Sequence, residues 1–365
     1  MARDSPFHVP WLLHHLGGWV HRCRRFFVML GRLESHTLAH ELSATPVTAP
    51  LYVCGLARSG STLLHETLAG VAGVATHRVR DYPMVYTPWW WRQATARRRP
   101  AAVRERAHGD RILITPDSPE ALEEMIWMAF FPRCHDPAVS NELGAEESHP
   151  AFEAFYRAHI RKLLLAERAT RYAAKNNYHV ARLSYLLRLF PDARLVVPVR
   201  EPVGHIASLV RQHQRFSQAQ RQHPRALAQM QRSGHFEFGL GRRPMNPGDT
   251  DRVRDIERVW AAGEEVRGWA RYWSMIHDHL TGVLASDPRV RSAALVVRYE
   301  AVCDAPAETV ESVLRHCQLP VAEPFVKAFT ARVSRPDYYT SPLTPAEVDL
   351  IREETASAAG KWGYA

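Results

Sequence analysis

The stretch Gly55-Leu56-Ala57-Arg58-Ser59-Gly60-Ser61-Thr62-Leu63-Leu64 has the parts of an anion-binding loop. Two glycines five positions apart permit a tight turn, and Ser61 and Thr62 supply hydroxyls. An apolar run before it and a helix-forming run after it would aim the backbone N–H groups of Ser59, Gly60, Ser61, Thr62 and Leu63 at one point. It matches the nucleotide-triphosphate loop G-x-x-x-x-G-K-[ST] except that Ser61 stands at the lysine position. The missing cation has a counterpart in Arg58, inside the loop. Two more cations stand at the ends of β-prone runs, Lys175 after Tyr172-Ala173-Ala174 and Arg200 after Arg194 to Val199 (RLVVPV). A magnesium-dependent triphosphatase needs an acid at the end of a neighbouring strand. Here that place holds Arg200, so negative charge on a ligand is met by side-chain cations, and no metal site is expected.

These residues need a scaffold. Leu51 to Cys54, Tyr172 to Lys175, Arg194 to Val199 and Ala293 to Arg298 read as buried strands. Helices are expected over Ser61 to Ala69, about Val180 to Phe190, and from Pro202 onward. This alternation implies an α/β chain: a P-loop-like three-layer domain with a central parallel sheet between helices, and ligands at the carboxyl ends of the strands. An apolar stripe from Ile256 to Leu284 keeps helical spacing. The segment 218–255 is rich in Gln, Arg, Gly and Pro and reads as an irregular insertion, either a lid or a surface excursion. Residues 1–45 read as an N-terminal helical segment preceding a domain over 46–365.

Composition sets the outer bounds. The chain has 365 residues, 46% of them hydrophobic, with 47 basic and 38 acidic residues for a formal net charge of +9. That balance suits an anionic ligand, but no nucleic-acid motif accompanies it and nucleic acid is not an expected partner. Five cysteines form no C-x-x-C pair, which fits a reducing, cytoplasmic setting. The N-terminal apolar run is too short for a signal peptide or a span. Trp11, Leu12, Leu13, Trp19 and Val20 allow peripheral membrane contact, with core packing as the alternative.

GLARSGSTLL together with VVPVREPVGHIASLV resembles the paired cofactor signatures of the sulfotransferases that use 3′-phosphoadenosine-5′-phosphosulfate (PAPS), most closely bacterial members with an R-S-G-[ST]-T-L-L loop. The resemblance runs from about Pro50 to the C-terminus and leaves 1–45 and 218–255 unexplained. It implies transfer of a sulfuryl group to an acceptor hydroxyl of a carbohydrate, lipid, phenol or tyrosyl group, with adenosine 3′,5′-bisphosphate (PAP) as product and no metal. It implies that the loop with Arg58 holds the 5′-phosphosulfate, that Arg200 and Ser208 hold the 3′-phosphate, and that Lys175 shares in stabilising the moving group. Tyr299, in Arg298-Tyr299-Glu300, would lie near the adenine or the sheet end, and Lys361 would close over the phosphates.

The acceptor must lose a proton, so a base is required. Asp81, 23 residues beyond Arg58, stands where related enzymes place a carboxylate; ion pairing with Arg78 or Arg80 is its structural alternative, and His108 is the competing base. Trp89, Trp90 and Trp91 are candidates for an acceptor pocket, with at least one in the core. Glu120, Glu123 and Glu124 lie in an expected helix from Asp117 to Trp127, where they stabilise the helix or meet a cationic acceptor. The rival function is an atypical P-loop kinase or triphosphatase, and after it a non-catalytic anion-binding protein.

Overall fold

The computed structural model describes residues 5–96, 103–109, 112–333 and 343–364. Its sheet is built from β1 (Leu51–Val53), β2 (Val74–Ala75), β5 (Arg171–Lys175), β6 (Arg194–Val199) and β7 (Ala294–Arg298), in the order β2-β5-β1-β6-β7. Every pairing in it is parallel. A separate antiparallel pair, β3 (Arg104–Glu105) and β4 (Leu113–Ile114), stands beside the sheet. The four strands expected from sequence form, and β2, β3 and β4 are additions. Two-residue strands carry too little apolar pattern to be seen in a sequence.

The pleat divides the core. Leu51 and Val53 face one side with Leu64, Leu68, Val196 and Val313, whereas Tyr52 and Cys54 face the other with Tyr172, Val197 and Ile206. Alternation by two makes a three-residue strand serve both layers. Each fully buried Val or Leu contributes roughly 1.5–3 kcal/mol, which holds β1 central despite its length.

Three helices, α1 (Trp11–Arg22), α2 (Arg24–Thr37) and α3 (Ala39–Ser43), precede β1, and α4 (Ser61–Ala69) follows the loop. Two expectations change. The stripe from Ile256 onward is not one helix: Gly263, at φ +84°, separates Thr250–Ala261 from Glu265–Ser286. The two then pack so tightly that a Cβ on Gly268 would meet the Trp260 ring at 2.3 Å. The segment 218–255 is irregular only over 234–249, and the rest of it is mainly helical. It holds the end of helix Pro202–Gln222, all of Pro224–Ser233 and the start of Thr250–Ala261, and its polar composition reflects their exposed faces.

Candidate active site

The register of the sheet gathers the cations. β1 pairs Val53 with Lys175 on one side and with Val196 on the other, and Val199 at the end of β6 pairs with Arg298. Gly55, Lys175, Arg200 and Tyr299 therefore all leave the sheet at the carboxyl ends of its parallel strands, with β1 at the centre. Gly55 is needed there because a Cβ would stand 2.8 Å from Pro198 Cγ.

The loop bends back through Arg58 at φ +72° and Gly60 at φ +95°. Gly60 also packs under Tyr299, whose ring would lie 2.8 Å from an added Cβ. No side chain caps α4. Ser59 is turned inward: its hydroxyl and its N–H both donate to Leu56 O, at 2.7 and 3.3 Å. Of the amides expected to form an anion cradle over Ser59 to Leu63, that of Ser59 is thus already bonded within the turn.

Arg58 Nε donates to Ser208 Oγ at 3.2 Å, and Arg200 Nη1 donates to Arg58 O at 3.2 Å. The Arg200 guanidinium lies 4.4 Å from the centroid of the Tyr299 ring. Arg58, Arg200, Ser208 and Tyr299, spread over some 240 residues of sequence, form one cluster around the loop. His205 was not anticipated. It is fully buried, its Nε2 meets Ala57 O at 2.8 Å, and its Nδ1 accepts from Trp273 Nε1 at 3.1 Å. Burial keeps its pKa well below the usual histidine value, so it acts as a neutral strut that fixes the loop backbone.

A cavity of about 300 Å³ opens beside the loop, lined there by Arg58, Ser61, Thr62 and Lys175. A second unanticipated residue, Arg106, enters from the β3–β4 hairpin and donates to Thr62 Oγ1 at 3.3 Å. Its element has no periodicity to reveal it. The ionisable wall contains Glu105, His108, Glu120, His235 and Glu237, and the apolar wall Phe7, Val9, Leu13, Phe216, Met230 and Phe238. The parts left unexplained by the sequence resemblance, the N-terminal segment and helix Pro224–Ser233, thus build much of this wall.

Burial lowers the pKa of Lys175, while the carboxylates of Glu237 and Glu120 act against that shift. Burial would raise Glu237, but His235 and Lys175 together with the Asn177 amide bring it down to about 2. Burial takes His65 to about 3, and its Nε2 lies 2.8 Å from Thr76 Oγ1, so it is neutral and oriented.

Asp81 is not in this wall. It is fully buried, with Oδ1 and Oδ2 accepting from Arg92 at 2.9 and 2.6 Å, and with Oδ2 capping the N–H of Arg78. Burial opposes its charge, yet His77 and Arg92 hold the carboxyl well below the usual range. Expected as a base, Asp81 thus does not line the cavity, and its charge is already met by Arg92 and His77. Glu123 and Glu124 are equally engaged. Glu123 contacts His179 at 2.7 Å and Tyr172 at 3.1 Å, and both oxygens of Glu124 accept from Arg182, at 2.9 and 2.7 Å. Glu124, Cys134 and His135 lie close enough to share an ion, but the charge of Glu124 is already met by that guanidinium.

The expected helix from Asp117 starts only at Glu124. Residues 116–120 instead run beside 77–80, with Glu120 N donating to His77 O at 2.9 Å, and this turn delivers Glu120 to the cavity. Trp89, Trp90 and Trp91 do not reach it. Trp91 donates to Arg80 O at 2.7 Å and the Trp90 N–H donates to Glu34. Lys361 pairs with Asp278 at 2.8 Å on an exposed surface and not with the loop. The C-terminal residue that reaches the strand ends is Tyr364, bonded to Glu300 at 2.8 Å and under the Arg298 guanidinium.

A family model described as the sulfotransferase family matches residues 50–237, just over half of the chain. The chain belongs to the sulfotransferase family. Its reaction is therefore transfer of a sulfuryl group, and the kinase or triphosphatase reading falls away. Two solved structures have the same overall fold. Sulfotransferase STF1 from Mycobacterium tuberculosis is 18% identical with a TM-score of 0.50, the match covering 94% of this chain and 86% of that one. Sulfotransferase STF9 from Mycobacterium avium is 14% identical with a TM-score of 0.52, covering 100% and 89%. No curated protein matches the chain.

Proposed function

We propose that this sulfotransferase takes the sulfuryl group from PAPS and passes it to the hydroxyl of an acceptor held in the cavity beside the loop. The observation that carries the reading is the cluster around Arg58: an uncapped helix N-terminus, a guanidinium bonded to Ser208 and a loop carbonyl bonded to Arg200. Such a site suits a donor with two separated phosphate positions. Glycines at 55 and 60, where a Cβ would clash, keep the backbone close enough for the amides to serve. When bound, the donor supplies the activated sulfuryl group.

The chain's own residues then divide the work. The amides of Gly60 to Leu63, with the hydroxyls of Ser61 and Thr62, hold the 5′-phosphate, and Arg200 and Ser208 hold the 3′-phosphate. Arg58 and Lys175 meet the negative charge that grows on the leaving phosphate as the S–O bond breaks. Fixed cations aimed at developing charge lower the barrier more than they tighten donor binding. Arg106 extends that positive arc from the hairpin. Tyr299 stacks between Arg200 and Gly60 and sets the floor of the nucleotide site.

For the acceptor proton we assign Glu120 in place of Asp81. Glu120 lines the cavity, its charge acts on both Lys175 and His235, and no side-chain cation is bonded to it among the described residues. His108 lines the same cavity but sits between Phe216 and Phe238, with ring centroids at 5.1 and 6.0 Å, which suits packing of an acceptor.

Calorimetry with PAP tests the donor assignment. Micromolar binding that is lost in Arg200→Ala supports it, and absence of binding by the intact chain ends it. Glu120→Gln should lower kcat by roughly 10²–10⁴ with donor affinity unchanged. Wild-type turnover in that variant would remove Glu120 as base.

A further inference from the structure

The outward side of α1 and α2 is unlike the rest of the surface. Trp11, Leu12 and Trp19 are 60, 70 and 51% exposed, and Phe26, Met29 and Leu33 are 45, 52 and 49% exposed. These are six of the eleven exposed large hydrophobic side chains among the described residues. They follow helical spacing, with 11, 12 and 19 on α1 and 26, 29 and 33 on α2, so each set shares one face. Trp19 meets Phe27 edge-on at 4.9 Å and Phe27 meets Phe26 at 5.6 Å, which joins the two rows across the turn.

The charge on this face has one sign. Arg22, Arg25 and Arg32 are exposed alongside the apolar rows. The one carboxylate in residues 11–37, Glu34, points inward, fully buried and bonded to Lys162 at 2.8 Å. The opposite sides of the helices anchor them: Val20 and Phe27 are buried in the core, and Val9, Pro10 and Leu13 line the cavity. No described helix is long and apolar enough to cross a membrane. A second copy is a poor cover, because a two-fold contact would bring Arg22, Arg25 and Arg32 toward their own counterparts. Tryptophan at both ends of an apolar row flanked by arginines suits the boundary between headgroups and acyl chains.

We infer that this face docks onto an anionic lipid bilayer. The two helices lie in the plane of the membrane, with the six apolar side chains entering the headgroup boundary and the arginines meeting lipid phosphates. The same N-terminal segment forms part of the cavity wall, so docking brings that wall to the lipid surface. This inference stands independently of the donor assignment.

The test is co-sedimentation of the full chain with vesicles of phosphatidylcholine and phosphatidylglycerol, against vesicles of phosphatidylcholine alone. The expected result is at least tenfold stronger partitioning onto the anionic vesicles, weakened as salt rises. Brominated phosphatidylcholine mixed into the anionic vesicles should quench part of the tryptophan fluorescence of the unaltered protein, a readout that needs no variant. The combined change Trp11→Ser, Trp19→Ser and Phe26→Ser should abolish both signals with the thermal midpoint unchanged. Arg22→Glu with Arg25→Glu and Arg32→Glu should remove the preference for anionic lipid. Failure to bind anionic vesicles, absence of quenching, or binding unaltered by these substitutions overturns the inference. So does a stable dimer in light scattering that the apolar substitutions dissociate, since the face would then belong to a second copy.

Discussion

Two clusters of charge sit on opposite terms in this molecule. Near the strand ends, Arg58, Arg106 and Lys175 line a cavity beside an uncapped helix, and Arg200 is bonded to the backbone of Arg58. Deeper in the protein, Asp81, Glu123 and Glu124 are enclosed and paired with Arg92, His179 and Arg182. In the enclosed cluster charge is neutralised at fixed geometry, which specifies how helices seat on the sheet. In the open cluster positive charge is concentrated beside a cavity, where the proposed donor would bring the negative complement. Glu120 lines the cavity on the open side, whereas Asp81 stands in the enclosed cluster, and the proposed proton acceptor was chosen on that difference.

The contrast is sharpest when each cluster loses one cation. Arg182→Met leaves Glu124 buried without its guanidinium and should lower stability by about 3–5 kcal/mol in chemical denaturation, with PAP affinity of the folded fraction retained. Arg58→Ala should do the reverse: a fall of roughly 10²–10³ in kcat with little change in denaturation midpoint. Equal loss of stability in both variants would break the distinction.

Asp81→Asn probes the boundary between them. It should cost about 2 kcal/mol of stability, less than Arg182→Met because Arg92 retains Glu167 at 2.6 Å, and turnover should stay near that of the unaltered chain. Low turnover at unchanged stability would return Asp81 to the active site. A pH series separates the clusters more gently. The carboxyl of Glu237 lies lower in the folded chain, at about 2, than in the unfolded one. Its contribution is therefore complete above the unfolded carboxylate value and is lost as pH falls toward 2, on the order of 1 kcal/mol between pH 5 and pH 3. Glu237→Gln should flatten that part of the stability profile. Lys361→Ala is the smallest case: an exposed pair with Asp278 contributes less than about 1 kcal/mol, and PAP affinity should not change.

Much of the open cluster was legible before the fold was known. A loop between an apolar run and a helix is a local pattern that contains Arg58, and Lys175 and Arg200 each sit at the end of an apolar run that reads as a strand. Arg106 and His205 were not legible, because one directly follows a two-residue strand and the other meets a carbonyl more than a hundred residues away. The enclosed cluster misled for a related reason. Spacing placed Asp81 well in sequence, but whether a carboxylate faces a cavity or a guanidinium depends on the packing of Arg92 and His77.

The sequence by itself determined the parallel sheet, the loop with its glycines and the sign of charge around it, since these follow from periodicity and residue type within short windows. Tertiary structure alone decided which acids are spent on structural pairs, which ones reach the cavity, and that helices outside the family signatures build its wall. Those outcomes depend on contacts between distant segments, where burial and a neighbouring cation fix a side chain's role.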